Sequence, residues 1–459
     1  MSGALLYQSA VRIQPRAAHG RYQRLRIAAV LVLLGAYYGI PWLRLDGAPL
    51  VLFDLPHRRF HLFGLTLVPQ DLIFLTGLLL IAALTLFLFT TLAGRVWCGY
   101  ACPQTVWTEA FLWIEHLFEG DRYQRIRLDR GAWNREKILR RGGKHAAWVL
   151  FGLFTGFSFV AYFIPARELF GDAAHLQLSG WPLFWCGFYG FATWGNAGFL
   201  REQVCKYMCP YARFQSAMFD RDTLIVSYHA ARGEPRKSAA RHADREPGGG
   251  ALLASGDCVD CTLCVQVCPT GIDIRKGLQY ECIACAACVD ACNEVMDHVG
   301  KPRGLIRYST ARQDAGGRLQ VLRPRAVAYG IVWLAVLAAF GLALLHRSPL
   351  EFDVLRDRHA LYRQLPDGRI ENIYSFRIEN EDAVPHRFRF SGAFADGRAV
   401  ALEPDQVTLA ADGEATLTVS ARAAAPATPV SALRLRIESE DGAALRRERP
   451  STFLAPVSP

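Results

Sequence analysis

The sequence is short of charge, and the shortage is concentrated in a few places. Charged residues make up 20% of the chain, against 51% hydrophobic residues. Five stretches contain no charged residue at all: 27–43, 72–94, 146–166, 176–200 and 326–345. Each is close to the roughly 20 residues that a helix needs to cross a bilayer. So many uncharged runs argue against a soluble protein with buried helices and predict five membrane-spanning helices.

Two further absences narrow the possibilities. No small-residue cleavage site directly follows the first uncharged run, so we expect this run to be an anchor rather than a removed signal peptide. None of the 13 cysteines lies after Cys292, so no disulfide is available to the C-terminal part. All 13 cysteines lie before the last uncharged run. We therefore expect them to have a role other than disulfide formation in the C-terminal part.

The net charge of +10 lies mainly in loops beside the uncharged runs, which excludes a nucleic-acid-binding surface as its explanation. Nine Arg and Lys residues fall between Glu119 and Lys144, whereas the loop 166–180 holds only Arg167. By the positive-inside rule, the first loop is expected in the cytoplasm and the second outside. This orientation puts segment 201–323 in the cytoplasm, where thiols stay reduced, and everything after Arg347 outside.

The most informative feature is a pair of cysteine runs with the same spacing. They are Cys258-x2-Cys261-x2-Cys264-x3-Cys268-Pro269 and Cys282-x2-Cys285-x2-Cys288-x3-Cys292. This spacing is typical of two-cluster bacterial ferredoxins, in which the fourth cysteine of each run ligates the other cluster. We therefore predict one 4Fe–4S cluster on Cys258, Cys261, Cys264 and Cys292, and a second on Cys282, Cys285, Cys288 and Cys268. Zinc sites usually show two separated C-x2-C pairs, and disulfide scaffolds are short secreted chains, so neither alternative fits as well.

A second set of cysteines occurs in two copies of a C-x3-C-P motif. The C-x3-C-P thiols are Cys98, Cys102, Cys205 and Cys209, and Pro103 and Pro210 follow the two pairs. Proline suits the first position of a helix, so each second cysteine is expected just before a helix, where the helix dipole favours the thiolate. Thiolates prefer Cu(I), zinc or iron–sulfur clusters, and Met208 adds a possible thioether ligand. We predict copper handling here, with an additional cluster or ordinary packing cysteines as the alternatives.

Composition divides the chain into modules. The predicted order is a cytoplasmic N-terminal segment (1–24), a membrane domain with the two C-x3-C-P repeats (25–227), a flexible linker (228–257), a two-cluster ferredoxin-like α+β domain (258–310), a final transmembrane helix (324–346) and a periplasmic domain (350–459). Alternating strands and regularly spaced Asp-Gly turns in the last module predict an immunoglobulin-like β-sandwich. The segment 104–118 is expected to be an interfacial or re-entrant helix, with Glu109 and Glu115 on a solvated face.

The motifs together resemble those of the cytochrome c oxidase accessory proteins of the CcoG, FixG and RdxA kind. The segments that carry the resemblance are Cys98–Glu109, Cys205–Gln215, Cys258–Cys292 and Asp367–Tyr374. The resemblance implies a bacterial inner-membrane protein that reduces Cu(II) to Cu(I) for assembly of the cbb-type oxidase. It also implies a cytoplasmic electron donor, a copper chaperone or transporter, and oxidase assembly factors as partners.

Two other functions stay open from the sequence. Membrane cysteine pairs with ferredoxin clusters also occur in the quinol-linked membrane subunits that serve periplasmic nitrate and nitrous oxide reductases. A non-enzymatic scaffold that docks oxidase subunits through the outer β domain is a third possibility. The leading prediction is a cupric reductase that takes electrons from a cytoplasmic donor, with these two functions as its alternatives.

Overall fold

The computed structural model describes residues 13–45, 47–178, 180–236, 256–357, 361–382, 384–424, 426, 428–442 and 445–456. The described residues form two compact units, one from residues up to 55 and 75–338, the other from 56–74 and residues after 338. Most of the predicted linker 228–257, and residues 1–12 of the predicted N-terminal segment, lie outside the described residues.

The chain before residue 346 is mainly helical. Its longer helices are Arg21–Gly39, Leu72–Ala93, Pro103–Glu119, Arg122–Arg130, Arg135–Val160, Ala166–Ala174, Gly180–Thr193, Pro210–Met218, Ala287–His298 and Pro324–Leu345. Short helices lie at Val96–Tyr100, Ala230–Gly233, Leu263–Gln266 and Ala311–Asp314, and wider π-type turns at Trp194–Leu200 and Val204–Met208. Two short strands, Arg44–Leu45 and Ala48–Pro49, form a hairpin in the first unit, and Val51–Asp54 follows them.

Three helices in the described part of the chain are long and apolar enough to cross a membrane. They are Arg21–Trp42, which includes a final 3-10 turn, Leu72–Ala93 and Pro324–Leu345. In the second and third of these helices, no residue of the most hydrophobic stretch is buried by the rest of the protein, which suits contact with lipid.

The prediction of five spans is not confirmed, because the other two uncharged runs do not form helices of the same kind. The run 146–166 is the second half of a helix that begins at Arg135 and ends at Val160. Its uncharged part is then 15 residues, or roughly 22 Å at the helical rise, which is shorter than the hydrocarbon core. The run 176–200 becomes helical only at Gly180 and changes to a π-type turn at Trp194.

The ferredoxin part includes a strand that lies outside its predicted limits, 258–310. Strand Ile225–Tyr228 pairs antiparallel with Ile306–Ser309, so residues on both sides of the cysteine runs close the domain. Buried apolar side chains, including Val226, Ile272, Ile274, Val289 and Ile306, fill the space around the cysteines. The first unit therefore contains an α+β module of the predicted kind, built from a wider span than 258–310.

The second unit contains the β-sandwich that the sequence predicts. Its strands after residue 346 are Leu350–Arg356, Arg363–Gln364, Ile370–Asn380, His386–Phe394, Ala399–Glu403, Gln406–Leu409, Glu414–Ala423, Val430–Ser439 and Arg446–Leu454. Their pairings are all antiparallel, and Ala399–Glu403 pairs with strands on both sides and joins the two layers. Inward-facing residues alternate along Ile370–Asn380 and His386–Phe394 and form a continuous apolar core.

A short hairpin, Arg59–Leu62 with Leu65–Leu67, also belongs to the second unit. Arg347 joins the neighbouring Asp71 (2.6 Å) to Glu381 of the sandwich (2.5 Å). Asp71 also accepts a hydrogen bond from the backbone N–H of Val68 (3.3 Å) directly before helix Leu72–Ala93, so it is both a helix-starting residue and an ion-pair partner.

The core of the sandwich predicts a large effect of one truncation. Phe376 is fully buried, and its ring lies 5.1 Å from that of Phe352 and 5.2 Å from that of Phe390. Phe376→Ala is expected to lower the free energy of unfolding by about 3–5 kcal/mol, because it leaves a cavity among rings that do not collapse easily. Thermal unfolding followed by near-UV circular dichroism would measure it. Leu355→Ala, on the same unit at 67% exposure, should change stability by less than about 0.5 kcal/mol.

Candidate functional site

The eight ferredoxin-type cysteines line two separate small cavities. Cys258, Cys261, Cys264 and Cys292 line the first. Cys268, Cys282, Cys285 and Cys288 line the second, and Cys264 also reaches it. The structure thus brings together the two sets of four that the crossed ferredoxin pattern predicts.

The backbone of the two runs has the same unusual conformation at matching positions. Asp260 and Thr262 in the first run, and Ala284 and Ala286 in the second, all have φ between 53° and 59°. A left-handed conformation is uncommon for residues other than glycine, and strained for a β-branched one. This left-handed conformation occurs at the second and fourth residues after the first cysteine of each run. It turns the backbone of both loops around their cavities.

These residues fit 4Fe–4S clusters. Each cavity offers four thiols, which is the usual ligand set of the cluster. Burial raises the pKa of Cys264 and Cys282 to about 12 and that of Cys292 to about 11, so these three thiols would carry a proton before iron binds. Iron must displace these protons, which couples cluster binding to formation of the site. When bound, each cluster would accept and release one electron at a time.

The two cavities differ in their exposure. Cys261 is the one exposed thiol of the eight; Cys258, Cys264 and Cys285 are buried, and the others are partly covered. The first cavity is therefore the one that has a thiol open to solvent.

The C-x3-C-P motifs form the helix starts that the sequence predicts. Cys102 is the residue before helix Pro103–Glu119, and Cys209 is the residue before helix Pro210–Met218. Both cysteines have extended backbone dihedrals, and the following proline occupies the first helical position in both cases. The prediction about their local structure is confirmed.

The fold also brings the two motifs together. Cys98 lies within electrostatic range of Cys102 and Cys205, and Cys102 lies within range of Cys209. Residues about one hundred positions apart in the chain thus form one group of thiols. Met208, the predicted fifth ligand, is 61% exposed.

The shift toward the thiolate that the sequence predicts for the second cysteine of each pair is wrong at Cys102, because burial raises its pKa. Burial raises the pKa of Cys98 to about 12 and of Cys205 to about 11, and it also raises the pKa of Cys102. Backbone N–H groups of Gln104 and Thr105 do act on Cys102 in the expected direction, but desolvation outweighs them. A soft metal, rather than the helix dipole alone, would be needed to hold these sulfurs as thiolates.

The C-x3-C-P group packs directly on the loop of the second cavity. A Cβ on Gly99 would lie 2.8 Å from the carbonyl oxygen of Ile283 and 2.9 Å from Cα of Cys285, so only glycine allows this approach. The hydroxyl of Tyr100 donates to the carbonyl oxygen of Cys285 (3.4 Å). Cys205 and Ile283 both line a small cavity of about 40 Å³. Both C-x3-C-P pairs are therefore next to the predicted second cluster.

Two residues that the sequence does not single out hold this arrangement. The guanidinium of Arg95 donates to Gln215 Oε1 (2.9 Å) and to the carbonyl oxygens of Tyr280 and Cys282. Gln215, which is fully buried, also accepts from Cys98 Sγ (3.3 Å). At the end of an apolar run, Arg95 looks like an ordinary membrane-flanking cation, so its sequence position conceals this role.

The expectation that Glu109 and Glu115 lie on a solvated face is wrong, because both side chains are buried. Glu109 is 6% exposed and pairs with Arg26 (2.5 Å). Glu115 is 1% exposed and lies among Arg125 (3.2 Å), Arg201 (2.8 Å) and Lys144 (3.7 Å). Their helix is buried on this side, and the charges are compensated inside the unit.

The remaining cysteine, Cys186, has a packing role. It is buried in an apolar cluster with Val160, Ala161 and Leu169. Within the described ranges, no three His, Cys, Asp or Glu side chains are arranged to hold a single metal ion.

The close approach at Gly99 gives a testable prediction. Gly99→Ala should push the 282–288 loop away from Cys98, because the clash is with backbone atoms that cannot rotate aside. Alkylation of Cys98 by a maleimide, measured by mass spectrometry, should become about tenfold faster as local opening becomes easier. Gly187→Ala is the control, since nothing lies within 4 Å of its added Cβ. Equal protection of Cys98 in both variants would contradict the docking.

Three family models match different parts of the chain. A "4Fe-4S dicluster domain" matches residues 200–311, a "4Fe-4S binding domain" matches 75–119, and the "IG-like fold at C-terminal of FixG" matches 340–456. A crystal structure of a FixG-related protein from Vibrio parahaemolyticus covers 24% of this chain and 100% of its own, at 16% identity and a TM-score of 0.21.

Relatives extend over most of the chain. "Nitrogen fixation protein FixG" of Rhizobium meliloti (strain 1021) is 41% identical over 88% of this chain and 86% of its own length. "Protein RdxB" of Cereibacter sphaeroides is 40% identical over 98% and 97%, and "Protein RdxA" of the same organism is 40% identical over 86% and 84%. With two cavities of four thiols, a matching dicluster domain and these relatives, the chain belongs to the FixG and Rdx family of iron–sulfur oxidoreductases.

Proposed function

We propose that this protein reduces Cu(II) to Cu(I) at the C-x3-C-P thiols and supplies the Cu(I) for assembly of a cbb-type cytochrome c oxidase. The observation that carries the proposal is the contact of Gly99 with the backbone of Ile283 and Cys285. This contact puts the C-x3-C-P thiols beside the predicted second cluster. Electron transfer needs such proximity, and a soft cuprous ion prefers sulfur ligands.

The chain's own residues would prepare this site in three ways. Arg95 and Gln215 would hold Cys98 against the 280–285 loop. Burial of Cys98 and Cys205 would exclude water from the bound ion, and their protons would be released as the metal binds. The exposed Cys261 marks the first cavity as the side from which a cytoplasmic donor would deliver electrons.

The proposed topology follows from the basic loops. We infer an inner-membrane protein with its ferredoxin part in the cytoplasm, its sandwich in the periplasm, and the Arg135–Val160 and Gly180–Leu200 segments as a shorter fourth and fifth span. Closely packed glycines support a paired arrangement of these helices, since a Cβ on Gly152 would lie 2.8 Å from the carbonyl oxygen of Gly190. A copper chaperone or transporter and oxidase assembly factors are the proposed partners.

The direct test uses anaerobically purified protein reduced with dithionite and freed of excess reductant. Added Cu(II) should reoxidise the reduced centres as Cu(I) forms, measured with a Cu(I)-specific chelator. The double variants Cys98→Ala/Cys102→Ala and Cys205→Ala/Cys209→Ala should each lose this reaction, and Cys186→Ala should keep it. Undiminished Cu(I) formation in both double variants would remove the thiols from the mechanism.

A second candidate for the same thiols is an additional iron–sulfur cluster. It is favoured by the match of a 4Fe-4S binding domain to residues 75–119, which include Cys98 and Cys102. Iron analysis separates the two functions, because two clusters correspond to about eight irons per chain and three to about twelve. Loss of about four irons in the Cys98→Ala/Cys102→Ala variant would favour the cluster over a copper site.

A further inference from the structure

Arg95 is a buried cation that has hydrogen-bond acceptors but, among the described residues, no carboxylate partner. Its side chain belongs to a residue that is only 4% exposed. Within the described ranges its guanidinium donates to uncharged oxygens alone, which are Gln215 Oε1 and the carbonyl oxygens of Ala212, Tyr280 and Cys282. A buried charge needs a counter-charge as well as hydrogen bonds, because its removal from water is costly while it stays unpaired.

The other buried arginines show what Arg95 lacks. In the part of the chain that the structure describes, each of them pairs with a carboxylate: Arg26 with Glu109, Arg125 and Arg201 with Glu115, and Arg323 with Asp220. The uncompensated charge of Arg95 therefore sets it apart from the ion pairs that are buried elsewhere in the same unit.

The groups around Arg95 that can become negative include three sulfurs. Cys98 and Cys205 of the C-x3-C-P thiols lie within electrostatic range of its guanidinium, and so does Cys282 of the second cavity. These sulfurs are negative when they hold a metal as thiolates. The missing counter-charge of Arg95 is thus present once metal is bound, and it comes from both predicted metal sites.

A fixed positive charge at this place has a definite effect on both sites. Net charge is one of the factors that set the reduction potential of an iron–sulfur cluster. A nearby cation stabilises the reduced state more than the oxidised state, because the reduced state carries one more negative charge. The same cation favours a metal ion that is held by thiolates at the C-x3-C-P group. Because Arg95 is buried, water screens its charge only weakly.

We propose that Arg95 is a positioning residue that acts as the shared counter-cation of the second cluster and of the metal-bound C-x3-C-P thiolates. The copper part of this inference rests on the proposed function. In that reaction one electron leaves the reduced second cluster and converts one Cu(II) to Cu(I), and no bond is broken. The transferred charge stays within range of Arg95, so the same buried cation compensates it before and after the transfer.

The main test neutralises Arg95 without moving it. Gln215 Oε1 accepts from Arg95 Nε (2.9 Å), so Gln215→Glu supplies the missing carboxylate at nearly the same volume and keeps the hydrogen bond. Redox titration of the full-length protein in detergent, followed by electron paramagnetic resonance, gives the midpoint potential of each cluster. In Gln215→Glu the equilibrium constant for reduction of the second cluster should fall about tenfold, which is about 59 mV toward negative potential for a one-electron couple. The signal of the second cluster is the one that Cys285→Ala removes.

Substitutions of Arg95 itself separate its charge from its shape. Arg95→Gln should shift the potential of the second cluster in the same direction, whereas Arg95→Lys should restore most of the wild-type potential because it keeps the charge. Arg213→Gln is the control, since it removes an equal charge from an exposed position on the helix that carries Gln215, where water screens it, and both potentials should stay unchanged. Each variant should keep about eight irons per chain.

Two results would refute this role of Arg95. One is an unchanged potential of the second cluster in Gln215→Glu, and the other is an equal shift in Arg95→Lys and Arg95→Gln. If Arg95→Gln loses iron, Gln215→Glu decides the question, because Arg95 keeps its hydrogen bond in that variant.

Copper binding separates this inference from the proposed function. The dissociation constant for Cu(I), measured by competition with a Cu(I) chelator, should rise about tenfold in Arg95→Gln and in Gln215→Glu and should not change in Arg213→Gln. If wild-type protein binds no Cu(I) while the potential shifts as expected, the copper reaction is wrong and Arg95 remains the counter-cation of the second cluster. If Cu(II) is reduced normally while neither the potential nor the Cu(I) affinity changes in Gln215→Glu, the role of Arg95 is wrong and the copper reaction stands.

Discussion

Cys285→Ala is expected to lower the iron content of the protein by about four atoms per chain, the content of one cluster. Cys285 is buried in the second cavity with Cys268, Cys282 and Cys288. The three remaining thiols would be one short of the usual ligand set, and burial raises the pKa of Cys282 to about 12, which makes its proton harder to displace by iron. Iron analysis together with electron paramagnetic resonance of the reduced protein would show one cluster signal lost and the other kept.

The effect should extend beyond the cavity. The loop around Cys285 packs on Gly99 and Tyr100, so its loosening should also expose Cys98 to alkylation. Cys186→Ala is the matched control, since that buried cysteine contacts only apolar neighbours and should keep the full iron content. Retention of all iron in Cys285→Ala would show that this residue is not a ligand.

Glu115→Ala is expected to be the most destabilising single substitution in the helical unit, with a loss of about 3–5 kcal/mol in unfolding free energy. It would leave Arg125, Arg201 and Lys144 without the carboxylate that they share, and these side chains are 2–8% exposed. Glu119 neutralises one of them, at 2.6 Å from Lys144, and two buried positive charges would remain. The melting temperature measured in detergent should fall by roughly 10 °C.

Two companion variants identify the cause of this loss. Glu136→Ala removes a carboxylate that pairs with Arg140 at 2.9 Å on an exposed surface, where side chains are 42% and 63% exposed, and it should change stability by less than about 0.5 kcal/mol. Glu115→Gln keeps the volume and removes the charge. If it is as stable as wild type, the charge network contributes little and the prediction for Glu115 fails.

Several features were predictable because they depend on short stretches of chain. The spacing of the eight cysteines predicts two sets of four, and the structure gathers the same sets around two cavities. Pro103 and Pro210 predict helix starts after Cys102 and Cys209, which are found there. The alternation of the C-terminal strands predicts a sandwich, and the same residues form its core. In each case the decisive interactions are set by local geometry.

Other features misled because their environment is built by distant residues. Charge-free length predicts five spans of the same kind, but two of the runs form shorter helical segments, one ending at Val160 and one changing to a π-type turn at Trp194. Charge alone suggests that Glu115 faces water, whereas Lys144 of another helix and Arg201, which follows the π-type turn Trp194–Leu200, enclose it. A helix start suggests a lowered thiol pKa, but packing around Cys102 raises it. Burial is a property of the whole fold, and no short window of sequence contains it.

The sequence by itself determined the iron-ligating residues and the β-sandwich, because cluster ligation and strand alternation depend on residues only a few positions apart in the chain. Only the tertiary structure decided which other residues lie next to the predicted clusters. Gly99 and Cys285 are 186 positions apart in the chain, and their contact exists because the helical part and the ferredoxin part fold against each other. The same packing buries Arg95 between Gln215 of the helical part and the backbone of Cys282. Local patterns select ligands, whereas long-range packing selects which centres are neighbours.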